Sequence, residues 1–194
     1  MGIDCFGDLE NDFTFDCSNP PQSGIEVDVV LIETKKINRT ATAVTGNLCT
    51  NLEAISGESG IALQGIKRTL TYSITATVRE ENSNGWVHAA NLRIVNMSAE
   101  SRAEIEKILN SDGITVVVEK KWKGTAGEDA FLILGLEKGM VLSEGVENSE
   151  EAEGTFTFTL QTRENELETK GGINLLDTDL ATTRTAFGNK FVGA

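Results

Sequence analysis

Several stretches of the chain alternate apolar and polar residues with a period of two, which is typical of β-strands that bury one face. The stretches with the clearest alternation are 25–31, 70–78 and 155–162. Ala130–Leu136 is apolar throughout, so it predicts a strand that is buried on both faces or lies at a subunit contact. Asn84-Gly85 is a hairpin signal, and it predicts a β-hairpin over residues 69–95.

Helical periodicity is clear in one segment, near residues 99–110. Ser98 or Ser101 can serve as its N-cap, and Asn110 and Gly113 can end it. Its narrow apolar stripe consists of Ile105, Ile108 and Leu109. A stripe this narrow predicts a surface helix that lies across one face of a sheet. A short helical turn is also predicted at residues 51–55.

The predicted elements divide the chain into a body and two arms. Residues 24–170 form the β-rich body, residues 1–23 an N-terminal arm and residues 171–194 a C-terminal arm in which the apolar residues have no clean period. The N-terminal arm carries three aromatic residues, Phe6, Phe13 and Phe15, which makes it a candidate inter-subunit arm. The fold class expected is mainly β: a β-sandwich or small barrel with one flanking α-helix and extended terminal arms.

The net charge argues against tight binding of DNA or RNA, because the chain has 30 acidic and 17 basic residues and a formal net charge of −13. Residues 144–153 predict a solvated acidic loop, which could line a lumen or an interface and consists of Glu144, Glu147, Glu150, Glu151 and Glu153. A strand end at residues 120–123 carries a candidate basic interface patch, made of Lys120, Lys121 and Lys123. The two could meet across a subunit interface, where complementary charges fix the register.

Candidate chemistry is sparse. His88 is the single histidine and lies among aromatic and apolar residues, so a structural role is favoured over a catalytic one. The three cysteines, Cys5, Cys17 and Cys49, have no metal-ligand spacing and no histidine nearby in sequence. No nucleophile-elbow or phosphate-loop motif occurs. We therefore expect no enzyme activity, no cofactor and no metal site.

Hydropathy predicts no membrane anchor, because no stretch approaches 18 apolar residues. The first residues lack both a basic start and an apolar run, so no secretory signal is predicted at the N-terminus.

One segment resembles a known protein family. After the apolar strand comes Leu134-Gly135-Leu136-Glu137-Lys138-Gly139-Met140, then an acidic loop and an alternating Thr-rich strand that ends near Glu164. This order resembles the C-terminal part of tail and virion structural proteins of phages of Bacteroidetes-type hosts. In those proteins Asn is usual at the position of Lys138, and Leu at that of Met140. The resemblance covers about a fifth of the chain directly and carries no catalytic residues.

The resemblance implies a tail tube subunit with one helix on the side of its β-body. Six copies would form a ring, stacked rings would form a tube, and the genome would pass through without specific binding. The expected partners are copies of the chain and other virion proteins, and the expected location is the virion, after assembly in the host cytoplasm. The alternatives are a head–tail connector, a tail-completion protein or a capsid-decoration protein. A surface β protein and a carboxylate enzyme are the remaining ones.

Overall fold

The computed structural model describes residues 19–20, 22–65, 69–79, 84–148 and 155–193. Within these ranges the strands are β1 (Ile25–Glu33), β2 (Ala43–Thr45), β3 (Leu48–Asn51), β4 (Ile61–Gln64), β5 (Thr71–Thr77), β6 (Gly85–Ile94), β7 (Ile114–Lys120), β8 (Phe131–Leu134), β9 (Met140–Asn148), β10 (Thr155–Thr162) and β11 (Ile173–Leu175). The helices are α1 (Ala99–Leu109) and α2 (Leu180–Gly188), with a 3-10 turn at Thr34–Lys36. With 45% strand and 14% helix, the chain confirms the mainly β, sandwich-like fold class.

The strands form two sheets that join at one corner. One sheet has the order β4-β1-β7-β8-β11-β3-β2, and the other has the order β9-β10-β6-β5. Neighbouring strands are antiparallel except β11 and β3, which are parallel. The corner is the pairing of Ile114 with Met140. We call the sheet formed by β9, β10, β6 and β5 the four-stranded sheet.

A hydrophobic core fills the space between the two sheets. Alternate residues of the central strands β1, β7 and β8 point into it, because successive side chains of a strand lie on opposite faces. These residues are Val29, Leu31, Val116, Val118, Leu132 and Leu134. The four-stranded sheet contributes Ala90, Leu92, Phe158 and Leu160 from β6 and β10. The alternation seen in the sequence thus identifies the inner face of the sandwich.

A second core lies on the opposite face of the same central strands. The intervening residues Val30, Ile32, Val117, Phe131 and Ile133 line it, and the C-terminal residues Leu175, Phe187 and Phe191 cover it. Residues 173–193 therefore belong to the packed body, contrary to the C-terminal arm expected from the sequence. They also supply a second helix, α2, which the sequence did not predict.

The predicted hairpin at residues 69–95 is confirmed, since β5 and β6 pair antiparallel over all seven residues of β5. The acidic loop predicted at residues 144–153 is wrong in its first half. Here β9 continues to Asn148 and pairs with β10 over its whole length, with a bulge opposite Thr159 and Leu160. The helical turn predicted at residues 51–55 is also wrong, because Asn51 ends β3 and Ala54 makes a β-bridge to Ile37.

Helix α1 agrees with its prediction at the N-terminus, where the Ser98 hydroxyl accepts a hydrogen bond from the Ser101 N–H at 3.2 Å. Its predicted apolar stripe is only partly correct. Ile108 is buried in the first core, but Leu109 is 61% exposed. The helix lies beside β9, where Arg102 makes a two-pronged ion pair with Glu147 at 2.7 Å. This ion pair ties the helix to the end of the four-stranded sheet.

Candidate functional site

The turn after β8 contains the segment that carries the family resemblance. Gly135 and Gly139 have φ angles of 66° and 78°, which residues with side chains rarely adopt. A Cβ on Gly139 would also lie 2.7 Å from the Thr34 Oγ1 and 2.8 Å from the Gly113 Cα. Both glycines are therefore required by the shape of the turn, which carries the chain from one sheet to the other.

Glu168 holds this turn, although sequence reasoning did not single it out. Its side chain is buried, and the carboxylate accepts hydrogen bonds from the backbone N–H groups of Glu137 at 3.0 Å and Lys138 at 2.8 Å. Burial raises the pKa of the Glu168 carboxyl above its usual range, while these N–H donors oppose the shift. Glu164, the acidic residue noted in the sequence, is exposed. The stretch around Glu168 has no period that could have revealed its burial.

His88 is held by both of its ring nitrogens. Nδ1 accepts a hydrogen bond from the Gly135 N–H at 3.0 Å, and Nε2 donates to the Lys170 carbonyl at 2.9 Å. The ring is buried, and burial lowers its pKa. Because the Gly135 N–H needs an acceptor, the ring is neutral with its proton on Nε2. His88 thus joins β6, the turn and the segment before β11, in line with the structural role predicted for it.

This histidine makes stability sensitive to mild acid. The pKa of His88 is lower in the folded protein than in the unfolded chain, where it is about 6.5. The contribution of His88 to the free energy of unfolding is therefore complete above pH 6.5 and is lost as the pH falls through the folded-state pKa. We expect the difference in free energy of unfolding between wild type and His88→Asn to shrink below pH 6.5, by at most about 1.4 kcal/mol per pH unit. Urea titrations of both proteins from pH 7.5 to pH 5 measure it. The raised pKa of Glu168 changes stability with pH in the opposite direction, but Glu168 is present in both proteins, so its effect cancels in the difference. A constant difference would contradict the assigned protonation state.

The outer face of the four-stranded sheet is polar and nearly uncharged. One row across it joins Thr71, Asn91 and Thr159 through side-chain hydrogen bonds: the Asn91 Nδ2 donates to the Thr71 Oγ1 at 3.3 Å, and the Thr159 hydroxyl donates to the Asn91 Oδ1 at 2.7 Å. Ser73, Thr75, Thr157 and Gln161 occupy neighbouring positions on this face. The face therefore presents hydroxyl and amide groups to its surroundings.

Both outer strands of this sheet have an edge that no described strand covers, which we call an open edge. Within the described ranges β5 pairs only with β6, and β9 beyond its corner at Met140 pairs only with β10. β5 has the sequence Thr-Tyr-Ser-Ile-Thr-Ala-Thr, with no charge, no proline and no bulge. Natural sheets usually protect an edge with such features, so this strand is available to pair with another strand.

The predicted acidic residues are divided between two faces. Glu144 pairs with Thr159 and lies exposed on the polar face, whereas Glu147 pairs with Phe156 and makes the ion pair with Arg102. Glu150, Glu151 and Glu153 lie outside the described residues. Of the candidate lumen residues that the structure describes, only Glu144 therefore brings an unpaired carboxylate to this face.

The basic residues at the end of β7 are also divided. The Lys123 Nζ lies 2.5 Å from the Glu119 Oε1 and 3.5 Å from the Glu26 Oε1, so its charge is balanced within the chain. The Lys120 Nζ lies 5.9 Å from the centroid of the Trp122 ring. Lys121 lies against Gly24 and donates its backbone N–H to the Gly24 carbonyl at 3.1 Å. Phe6, Phe13 and Phe15 lie outside the described residues.

The described part of the chain has neither a metal-ligand cluster nor a membrane-spanning helix. No group of three or more His, Cys, Asp or Glu side chains there could hold a metal ion. No helix there has the length and apolar character needed to cross a membrane. Cys49 is buried, and burial raises the pKa of its thiol to about 11.

No family model matches this chain, nor does any curated protein or any solved structure.

Proposed function

We propose that this chain is a subunit of a phage tail tube, in which identical copies form closed rings that stack around a channel for the genome. The observation that carries the proposal is the four-stranded sheet, with a polar outer face and an open edge on each side. The resemblance of residues 134–140 to virion structural proteins supports it. Its partners would be other copies and further virion proteins, in a virion assembled in the host cytoplasm.

Ring formation would join the β5 edge of one copy to the β9 edge of the next. Two different edges make a head-to-tail contact, and such contacts give a closed ring when the rotation per subunit divides the circle. Strand pairing would satisfy the backbone N–H and C=O groups that both edges leave open. Each added copy leaves one β5 edge and one β9 edge free until the ring closes.

The polar face suits the wall of a channel for nucleic acid. Phosphate binding depends on clustered Lys and Arg, and the positions on this face are mainly Thr, Ser, Asn and Gln. Arg93 is the basic residue there, and its guanidinium donates to the Thr155 Oγ1 at 2.6 Å. DNA would therefore move along this face without being held at a fixed site.

Negative-stain electron microscopy of the purified chain across a concentration series tests the proposal. Rings or tubes with an open central channel are the expected result, and their symmetry gives the number of copies. A chain that stays monomeric at every concentration would contradict self-assembly. It would favour a connector, tail-completion or capsid-decoration protein, whose edges are covered by a different virion protein.

Edge charges provide a sharper test. We expect the double variant Ser73→Lys and Thr75→Lys to weaken association by more than about tenfold, because lysines on an edge strand oppose pairing with a second strand. The double variant Thr157→Lys and Gln161→Lys is the matched control, since it places the same two charges on the same face but on the inner strand β10. Mass photometry measures association of all three proteins. Equal assembly of wild type and the edge variant would exclude β5 as the contact.

A further inference from the structure

A cleft of about 450 Å³ opens where the described chain begins, between the start of β1, the first residues of β5 and the end of β7. Its walls include Gly24, Thr71, Tyr72, Lys120 and Trp122. Tyr72 and Trp122 are half-buried, so the cleft presents aromatic surface. It lies directly beside the open edge of β5.

The cleft is lined by polar and charged groups that have few partners among the described residues. The indole Nε1 of Trp122 is buried and has no hydrogen-bond partner in the described part of the chain, although a buried Trp N–H usually has one. Lys120 lines the cleft and is held over the Trp122 ring, and Lys121 lies against the wall residue Gly24. The Lys120 Nζ donates a hydrogen bond to the Asn174 Oδ1 at 3.4 Å, but neither lysine makes an ion pair within the described ranges. An arriving segment with acceptor oxygens, negative charge and aromatic side chains would match these groups.

We propose that this cleft receives the N-terminal segment, residues 1–18, of a neighbouring copy of the chain. That segment has five acidic residues and no basic one, and it carries Phe6, Phe13 and Phe15. Its carboxylates complement Lys120 and Lys121, and its phenyl rings complement the aromatic walls.

A neighbouring copy is favoured over the same chain because of the junction between the segment and the body. Pro20-Pro21 follows the segment, and consecutive prolines favour extended backbone rather than an immediate reversal into the adjacent cleft. Eighteen extended residues span up to roughly 60 Å, which is enough to reach another subunit. The inference extends the proposed self-assembly, because it assigns the segment its binding site.

Photo-crosslinking in a mixture of isotopically heavy and light full-length chains tests the inference. Phe13 is replaced by photoreactive p-benzoylphenylalanine in both chains, which are mixed in equal amounts and irradiated at the highest concentration that stays clear. Mass spectrometry then identifies crosslinked peptides. We expect heavy-to-light crosslinks from position 13 to the peptides that contain Tyr72 or Trp122. Mass photometry of the same sample records the oligomeric state.

The outcomes separate this inference from the proposed function. Rings without crosslinks to the cleft would overturn the inference and leave the tail tube proposal standing. Heavy-to-light crosslinks to the cleft in a sample without rings would support the inference and count against the tube. Crosslinks confined to chains of one isotope would show docking within a single chain and overturn the inference, as would an absence of any crosslink.

A charge variant supplies the second readout. Lys121→Glu is expected to lower the crosslink yield about fivefold, because it places a like charge opposite the acidic segment. Lys138→Glu is the matched control, since Lys138 is exposed on the turn after β8, outside the cleft. Equal yields from the two variants would contradict the electrostatic part of the inference.

Discussion

Phe187→Ala is expected to lower the free energy of unfolding by about 3–5 kcal/mol, the range for a buried phenylalanine replaced by alanine. Phe187 is 6% exposed, and its ring centroid lies 5.1 Å from that of Phe131 and 6.1 Å from that of Phe191. Truncation would leave a cavity between α2 and the central strands and remove two aromatic contacts. Urea denaturation at low protein concentration, where association does not contribute, measures the change.

Leu109→Ala is the control for this prediction. Both residues are apolar residues of helices, but Leu109 is 61% exposed. Alanine also favours the helical conformation. We therefore expect a change within about 0.5 kcal/mol of zero. A small effect at Phe187 would mean that the C-terminal residues are not part of the packed body, in line with the arm expected from the sequence over residues 171–194.

Glu168→Ala is expected to cost about 2–3 kcal/mol, because it removes the buried carboxylate that accepts hydrogen bonds from the N–H groups of Glu137 and Lys138. The change acts on the turn between the two sheets, and Trp86 also pairs with Glu168 through the backbone at 2.8 Å and 3.0 Å. Backbone pairing survives the substitution, so the expected loss belongs to the carboxylate. Denaturation midpoints measure the loss of stability.

Two further variants locate the effect of Glu168. Glu168→Gln keeps a carbonyl oxygen that can accept these hydrogen bonds, so it should recover part of the stability. Glu166→Ala removes an exposed carboxylate that pairs with Arg163 at 2.9 Å. That variant should cost no more than about 1 kcal/mol, as exposed ion pairs do. If Glu166→Ala were as damaging as Glu168→Ala, the hydrogen bonds to the turn would not explain the loss.

The strands could be predicted where burial follows a period of two. β5 and β10 each place one face against the first core, so apolar and polar residues alternate in the sequence. β1 does so only in its first half, because Val30 and Ile32 face the second core. The uniformly apolar β8 was predicted to be buried on both faces, and the structure confirms this, because Leu132 and Leu134 face one core while Phe131 and Ile133 face the other. In these segments local pattern and tertiary environment agree.

The C-terminal segment lacked such a pattern because its burial comes from a few separated residues. β11 has three residues, too few to show a period, and α2 buries only Thr183 and Phe187. A usable signal was Asp179, whose carboxylate accepts a hydrogen bond from the Thr182 N–H at 2.7 Å as the N-cap of α2. The acidic half of β9 was interpreted as a loop, although its strand conformation is supported by β10 and by Arg102.

The polar groups around the turn after β8 are distant in sequence. His88 contacts Gly135 and Lys170, which follow it by 47 and 82 residues, and Glu168 accepts from residues that precede it by 30 and 31. Local periodicity contains no information about such pairs. The role of His88 could be inferred from its apolar neighbours, but its partners required the fold.

The central strand β7 has consequences for the opening motions of the chain. It is bonded on both sides, to β1 and β8, and Val116, Val117 and Val118 are fully buried between the two cores. Amide protons at these positions can exchange with solvent only when both cores open together, so their exchange rates report global unfolding. The amides on the side of β5 that no described strand covers need no opening at all. Hydrogen exchange should therefore rank the strands from β7 outwards, and a partner bound along β5 would slow exchange first at the edge that is fastest in the isolated chain.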